Sequence, residues 1–208
     1  MDDLWSTIAT ERGALADDLD GIDAAAWDTP SLCDRWTVRD VTAHIIATAE
    51  MTPPRFVAKL ARNGFGFQRM VARDIAANRG GSPAAELKHL RGVRDRRTSP
   101  PGPTPSWLGE TIVHAEDVRR PLGLSRAYPT DALVAVADFY QGSNLLIGTK
   151  SRIAGLTLRA TDADWSHGTG PTVEGAMLPL LLAMTGRRAA LDELSGDGVD
   201  TLRGRSGG

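Results

Sequence analysis

Glu110 and His114 stand four residues apart in a stretch, 106–120, whose apolar spacing is helical. Their side chains therefore leave one face and can reach a common ion. His44 lies in a separate helical stretch. Two imidazole nitrogens and one carboxylate oxygen form a ligand set that suits a divalent metal, zinc above all, and leave a fourth position open for catalysis. The competing arrangement is plain: a Glu and a His at this spacing also occur on solvated helix faces. Trp107, Thr111 and Val118 share much of the same face, which turns Glu110 and His114 inward, where a charged carboxylate needs a partner. A cation is one such partner; a salt bridge to an arginine is the other.

Several neighbours bear on that chemistry. Asp117, three residues beyond His114, can accept the second imidazole N–H and fix the ring, or else pair with Arg120 or Arg39. Arg119 and Arg120 can clamp an acidic substrate bidentately, or simply complement the dipole at a helix C-terminus. Cys33 precedes the stretch carrying His44; it can approach the ion, act as a nucleophile, or be buried as a small apolar residue. His89 reads as a surface residue and His167, beside Gly168, as a turn residue. Arg91, Arg94, Arg96 and Arg97 read as a solvated helix face rather than a phosphate site. Gly64-Phe65-Gly66 lacks the strand-to-helix context of a nucleotide fingerprint.

The elements that must position these groups follow from periodicity and punctuation. Leu4, Ile8, Leu15 and Leu19 predict an amphipathic helix over 3–20 that ends at Gly21. Residues 27–36 combine Pro and short polar residues with two indoles, the pattern of a loop pinned to the core. Thr37 with Asp40 forms a capping box ahead of Val38, Val41, Ile45 and Ala49, and Pro53-Pro54 stops or bends that helix. A loop at 63–66 leads to a helix over 67–78. Ser82 and Pro83 open a helix that runs to about Arg97. Residues 99–105 form an extended connector to Ser106, the expected cap of a helix ended by Pro121 and Gly123. A fifth helix covers 131–149. Residues 156–161 read as a strand, 162–164 as a turn, Trp165 as the start of a second strand and 173–185 as a helix, with a frayed end from Gly204. The expected architecture is mainly α: a four-helix bundle in residues 1–150, whose facing interior positions house the metal, and a small C-terminal α+β appendage in 151–208.

Composition narrows the partners. The chain has 208 residues, 41% hydrophobic and 24% charged, which is the make-up of a folded globular protein. A formal net charge of -2 gives no global field to draw it onto nucleic acid or an anionic membrane. The longest apolar run, 176–184, contains Pro179 and is too short to span a bilayer. Residues 1–5 lack the basic and apolar regions of a secretory signal, and one cysteine excludes an internal disulfide, so a cytoplasmic location is expected.

Two segments make the sequence recognisable: Cys33-Asp34-Arg35-Trp36-Thr37-Val38-Arg39-Asp40-Val41-Thr42-Ala43-His44, and residues 109–123 with Gly109-Glu110-Thr111-Ile112-Val113-His114 at their start. They resemble the signature segments of the mycothiol-dependent maleylpyruvate isomerase family, part of the wider DinB-like group of helical metalloproteins. The resemblance continues through 162–186, with a Thr-Asp-x-x-Trp stretch and a closing Thr-Gly-Arg. It implies a DinB-like four-helix bundle holding a divalent metal on His44, Glu110 and His114, a small thiol such as mycothiol as cofactor, a small acidic substrate, and an isomerase or transferase reaction. A metal-bound thiol is deprotonated near neutral pH, which suits either reaction. Without a thiol, metal-bound water would suit hydrolysis, and a non-catalytic regulatory metal protein or an interaction module completes the alternatives. A homodimer is expected.

Overall fold

The computed structural model describes residues 3–145 and 147–206. It divides into two units, Met1–Arg126 and Ala127–Gly208.

The first unit is helical: α1 (Leu4–Asp20), α2 (Val38–Ala49), α3 (Pro53–Arg62), α4 (Phe67–Asn78), α5 (Pro83–Val93) and α6 (Thr104–Arg119). α1 and α2 each pack against both α5 and α6, and this ring is the four-helix bundle. α4 covers the outer side of α2, and α3 lies against α4. Leu15, Leu19, Ile45, Leu90 and Val118 belong to one continuous buried cluster, the apolar stripes of the four helices meeting as their spacing requires. The capping box holds as expected: Thr37 accepts from the Asp40 N–H while Asp40 accepts from the Thr37 N–H, so two free donors at the start of α2 are satisfied reciprocally.

Within the first unit, three features differ from the sequence expectation. α6 begins at Thr104, because Pro105 costs nothing in a first turn whose N–H groups have no helical partner; Ser106 is inside the helix, its hydroxyl bonded to the Pro103 carbonyl at 2.7 Å. Pro53-Pro54 follow the end of α2 as expected, but they also open α3, capped by the Thr52 side chain. α5 stops at Val93 rather than near Arg97, which leaves the Arg96 carbonyl free to accept from Arg12 Nη1 at 3.0 Å.

The second unit holds α7 (Thr130–Gln141), α8 (Thr149–Arg152), β1 (Thr157–Ala160), β2 (Ser166–His167), β3 (Thr172–Gly175), α9 (Met177–Met184) and α10 (Val199–Arg205). The sheet order is β2-β1-β3, with β1 antiparallel to β2 and parallel to β3. α9 is apolar nearly all round and buries Leu180, Leu181 and Leu182 between α7 and the sheet. The expected helix over 131–149 therefore ends at Gln141. α7 belongs to this unit, so the division falls after Arg126 and not at 150. Residues 173–175 are strand rather than helix, since Leu158 pairs with Val173. His167 pairs with Leu158 in β2, and the turn begins at Gly168, where φ is 84°. Gly204 lies within α10 instead of a frayed end; Gly207 and Gly208 lie outside the described residues. Among the described residues no helix is long and apolar enough to cross a membrane.

Candidate metal centre

α6 carries Glu110, His114 and Asp117 on successive turns, and α2 carries His44 opposite them. One ligand atom each from His44, Glu110 and His114 lie within 4.8 Å of one another. His44 Nε2 stands 3.5 Å from Glu110 Oε1, and the two imidazole rings meet edge to face with centroids 4.9 Å apart. The side chains of His44, Glu110 and His114 keep 17%, 12% and 14% of their surface exposed, so the cluster is sheltered yet reachable from solvent. Trp36 forms its wall, with ring centroids 5.0 Å from His44 and 6.0 Å from His114.

His114 Nδ1 lies 2.9 Å from Asp117 Oδ2, and Cys33 Sγ lies 3.9 Å from the same nitrogen. With Nδ1 engaged, Nε2 is the nitrogen left for the His44 and Glu110 side. Cys33, His114 and Asp117 form a second close group of potential ligands around the back of that imidazole. The loop bearing Cys33 and Trp36 is pinned, as the two indoles suggested, but largely through its backbone. Ser31 N–H donates to the Trp36 carbonyl at 2.9 Å and Leu32 N–H to the Asp117 carbonyl at 3.1 Å, while Trp27 is buried beneath.

Burial dominates the electrostatics. It pushes the pKa of His44 down to about 3, helped by the charge of His114 and opposed by Asp117, so His44 is neutral at pH 7. Burial acts on His114 in the same sense, but the hydrogen bond and charge of Asp117, with Cys33 behind it, outweigh this and push its pKa up to about 10. Burial raises the pKa of Glu110 against the pull of His114, Arg12 and the Thr48 hydroxyl. Neither carboxylate oxygen of Glu110 has a well-formed hydrogen bond, although both are shielded from solvent. Such a group is costly unless something else satisfies it.

The remaining residues singled out in the sequence lie as follows. Arg119, fully buried, holds Asp18 at 2.7 Å, and Arg120 holds Glu116 at 3.0 Å, so both arginines considered for a substrate clamp bind carboxylates of the chain itself. Arg39 reaches Glu86 at 2.7 Å, not Asp117. His89 contacts Glu50 at 3.1 Å and is partly exposed. Arg91, Arg94 and Arg97 form exposed pairs with Asp20, Asp95 and Asp3. Sequence reasoning missed Arg12, 1% exposed on α1, whose charge acts on Glu110 and whose Nε has no hydrogen bond. Its position four residues after Ile8 and three before Leu15, on the buried stripe, was the available signal.

No curated protein matches the chain. Two solved structures do: the mycothiol-dependent maleylpyruvate isomerase and a histidine-to-alanine variant of it, each 14% identical, covering 93% of this chain and 91% of theirs, with TM-scores of 0.57 and 0.58. At that identity the likeness concerns the fold. The family model for the mycothiol maleylpyruvate isomerase N-terminal domain matches residues 8–119, a stretch that contains His44, Glu110, His114 and Asp117. The match spans more than half of the chain, which therefore belongs to the family of that domain.

Proposed function

We propose that the chain binds one divalent cation, zinc, through His44, Glu110 and His114, and that it is a thiol-dependent isomerase or transferase using a mycothiol-type thiol on a small acidic substrate. The observation that carries the metal assignment is the pair of shielded, unsatisfied Glu110 oxygens beside two imidazoles. Two nitrogens and a carboxylate oxygen on two rigid helices fit a cation that keeps one position open. A cation bound there would supply Lewis acidity, lowering the pKa of a thiol or water that reaches the open position.

The chain's own residues do the rest. Asp117 holds the His114 ring by Nδ1, which sets its tautomer and orientation. His44 is neutral at pH 7 and needs no proton removed before its nitrogen can bind. Trp36 packs on both rings and limits the water around them. The thiol-dependent reading draws on the family membership of residues 8–119 and on the solvent-reachable rim of the cluster.

The test is elemental analysis of the wild type beside His44→Ala and His114→Ala, followed by assays of isomerisation and transfer with mycothiol. Stoichiometric zinc in the wild type, lost from both variants together with the stabilisation that chelation removes, is expected. Equal metal content in all three proteins rejects the site. Full zinc loading with no activity on any thiol, but with hydrolysis of an ester, moves the assignment to a metal-dependent hydrolase.

A further inference from the structure

The turn that walls the candidate site carries an arginine where backbone geometry asks for glycine. Trp36 N–H donates to the Cys33 carbonyl at 3.0 Å, closing a four-residue turn, and its third residue, Arg35, has φ of 68°. A left-handed third position is the mark of a turn that glycine or asparagine fills without strain, because a β-carbon there crowds the backbone. Phe65 is the only other non-glycine residue with positive φ among the described residues. Nor can the turn relax easily, since Ser31 and Leu32 tie the loop to Trp36 and to α6.

Both flanks of Arg35 touch the site. Cys33 Sγ is 3.9 Å from His114 Nδ1, and the Trp36 ring packs on His44 and His114. Cys33 and Trp36 are half-buried while Arg35 is exposed, so the exposed tip of this turn is directly followed by the indole that packs on the cluster. Its guanidinium makes no hydrogen bond or ion pair among the described residues, not even with its exposed neighbour Asp34. Arg12, Arg39, Arg119 and Arg120 are different, for each donates to an oxygen of the chain. A strained backbone that is kept without any internal bond for its side chain points to a use outside the chain.

We infer that Arg35 is a specificity-determining residue that recognises a carboxylate on the molecule reaching the His44–Glu110–His114 site. The inference rests on the proposed function and names the group that selects its acidic ligand. A guanidinium offers two parallel N–H donors matched to a carboxylate. The carboxylate can belong to the thiol or to its co-substrate, and the two sources are separable.

The experiment compares wild type, Arg35→Gly and Arg35→Lys loaded with cobalt(II), whose visible spectrum reports ligands at the ion. The probes are mercaptoacetate, 2-mercaptoethanol and succinate. Arg35→Gly is expected to bind cobalt like the wild type and to melt at the same temperature or about 2–4 °C higher, since strain is removed. Its affinity for a carboxylate probe should fall about tenfold or more, with 2-mercaptoethanol unchanged and Arg35→Lys between the two. Loss confined to mercaptoacetate assigns the carboxylate to the thiol, and loss confined to succinate assigns it to the co-substrate; either outcome supports the inference. Equal affinities in wild type and Arg35→Gly overturn it while leaving the metal assignment intact. A lower melting temperature with parallel weakening of all three probes overturns it in favour of a structural role. Failure of the wild type to bind cobalt rejects the metal site and this inference with it.

Discussion

The two imidazoles of the candidate site respond oppositely to protons. The pKa of His114 is raised from 6.5 to about 10, so its protonated form favours the folded, metal-free chain. That contribution is complete below about pH 6.5 and fades as pH rises through about 10. The pKa of His44 is lowered to about 3, so its contribution is present above pH 6.5 and is lost as pH falls towards 3. A cation that binds at neutral pH must therefore displace a proton from His114 and none from His44. Calorimetry of zinc loading at pH 7.5, in buffers of different ionisation enthalpy, should show release of about one proton from the histidine pair. Asp117→Asn removes the charge that holds the imidazolium, so it should release fewer protons and bind zinc about 10–100-fold more weakly. Zinc binding with no proton released in the wild type would contradict the assigned roles. At this scale the sequence showed what spacing can show. Glu110 and His114 were legible because four residues make a helical turn, and Asp117 because three nearly do. The burial of the Arg12 guanidinium and the left-handed backbone of Arg35 were not, since both depend on segments distant in the chain.

Helices were legible where chemistry punctuates both ends. The helix expected roughly over 67–78 forms as α4 between the Gly64-Phe65-Gly66 loop and the Arg79-Gly80-Gly81 exit. α3 went unassigned because Pro-Pro reads equally as a stop and as a start, and only the Thr52 cap decides between them. β3 was hidden because its pairing partner is β1, fifteen residues earlier and parallel, so no local turn signal marks it. Between elements, the bond most exposed to test joins α2 to α5: Arg39 Nε reaches Glu86 Oε1 at 2.7 Å, and Arg39 Nη2 reaches the Gly80 carbonyl at 2.6 Å. Glu86 is fully buried, and burial raises its pKa against the hydrogen bond and charge of Arg39. Arg39→Met leaves that carboxyl with only the charge of Arg79 and the Gly80 backbone, and should lower unfolding stability by about 3 kcal/mol. Urea denaturation of the variant checks this; a midpoint equal to the wild type's would show that the pair contributes nothing net. If Glu86 takes up a proton in the folded variant, its pKa lies still further above the unfolded value, so the variant's stability should fall more steeply than the wild type's as pH rises above about 4.5.

At the level of the molecule, every proposed ligand and every residue that supports one belongs to the unit that ends at Arg126. That unit has its own buried cluster and contains the whole family match. A fragment of residues 1–126 should therefore fold as a helical protein and bind one zinc with affinity within about threefold of the full chain's, a margin of roughly 0.6 kcal/mol. Circular dichroism and metal titration of the fragment decide the matter, and an unfolded fragment would show that the bundle depends on residues beyond Arg126. The sequence placed this division too late, at 150, because the 131–149 periodicity looks like one more bundle helix; what separates α7 is its packing on α9, which no local pattern encodes. The arrangement of the donors has one further consequence. Glu110 and His114 ride on a single turn of α6, whose pitch of about 5.4 Å is fixed by backbone hydrogen bonds. The donor on α2 is the one whose backbone can shift relative to the other two. The candidate centre thus resembles a caliper with one backbone-fixed jaw, and the second jaw rides on a helix packed into the bundle interior with Ile45 and Val118. If the proposed cation binds there, preference among ions of different radius would be influenced by packing between two helices, at residues that never meet the ion.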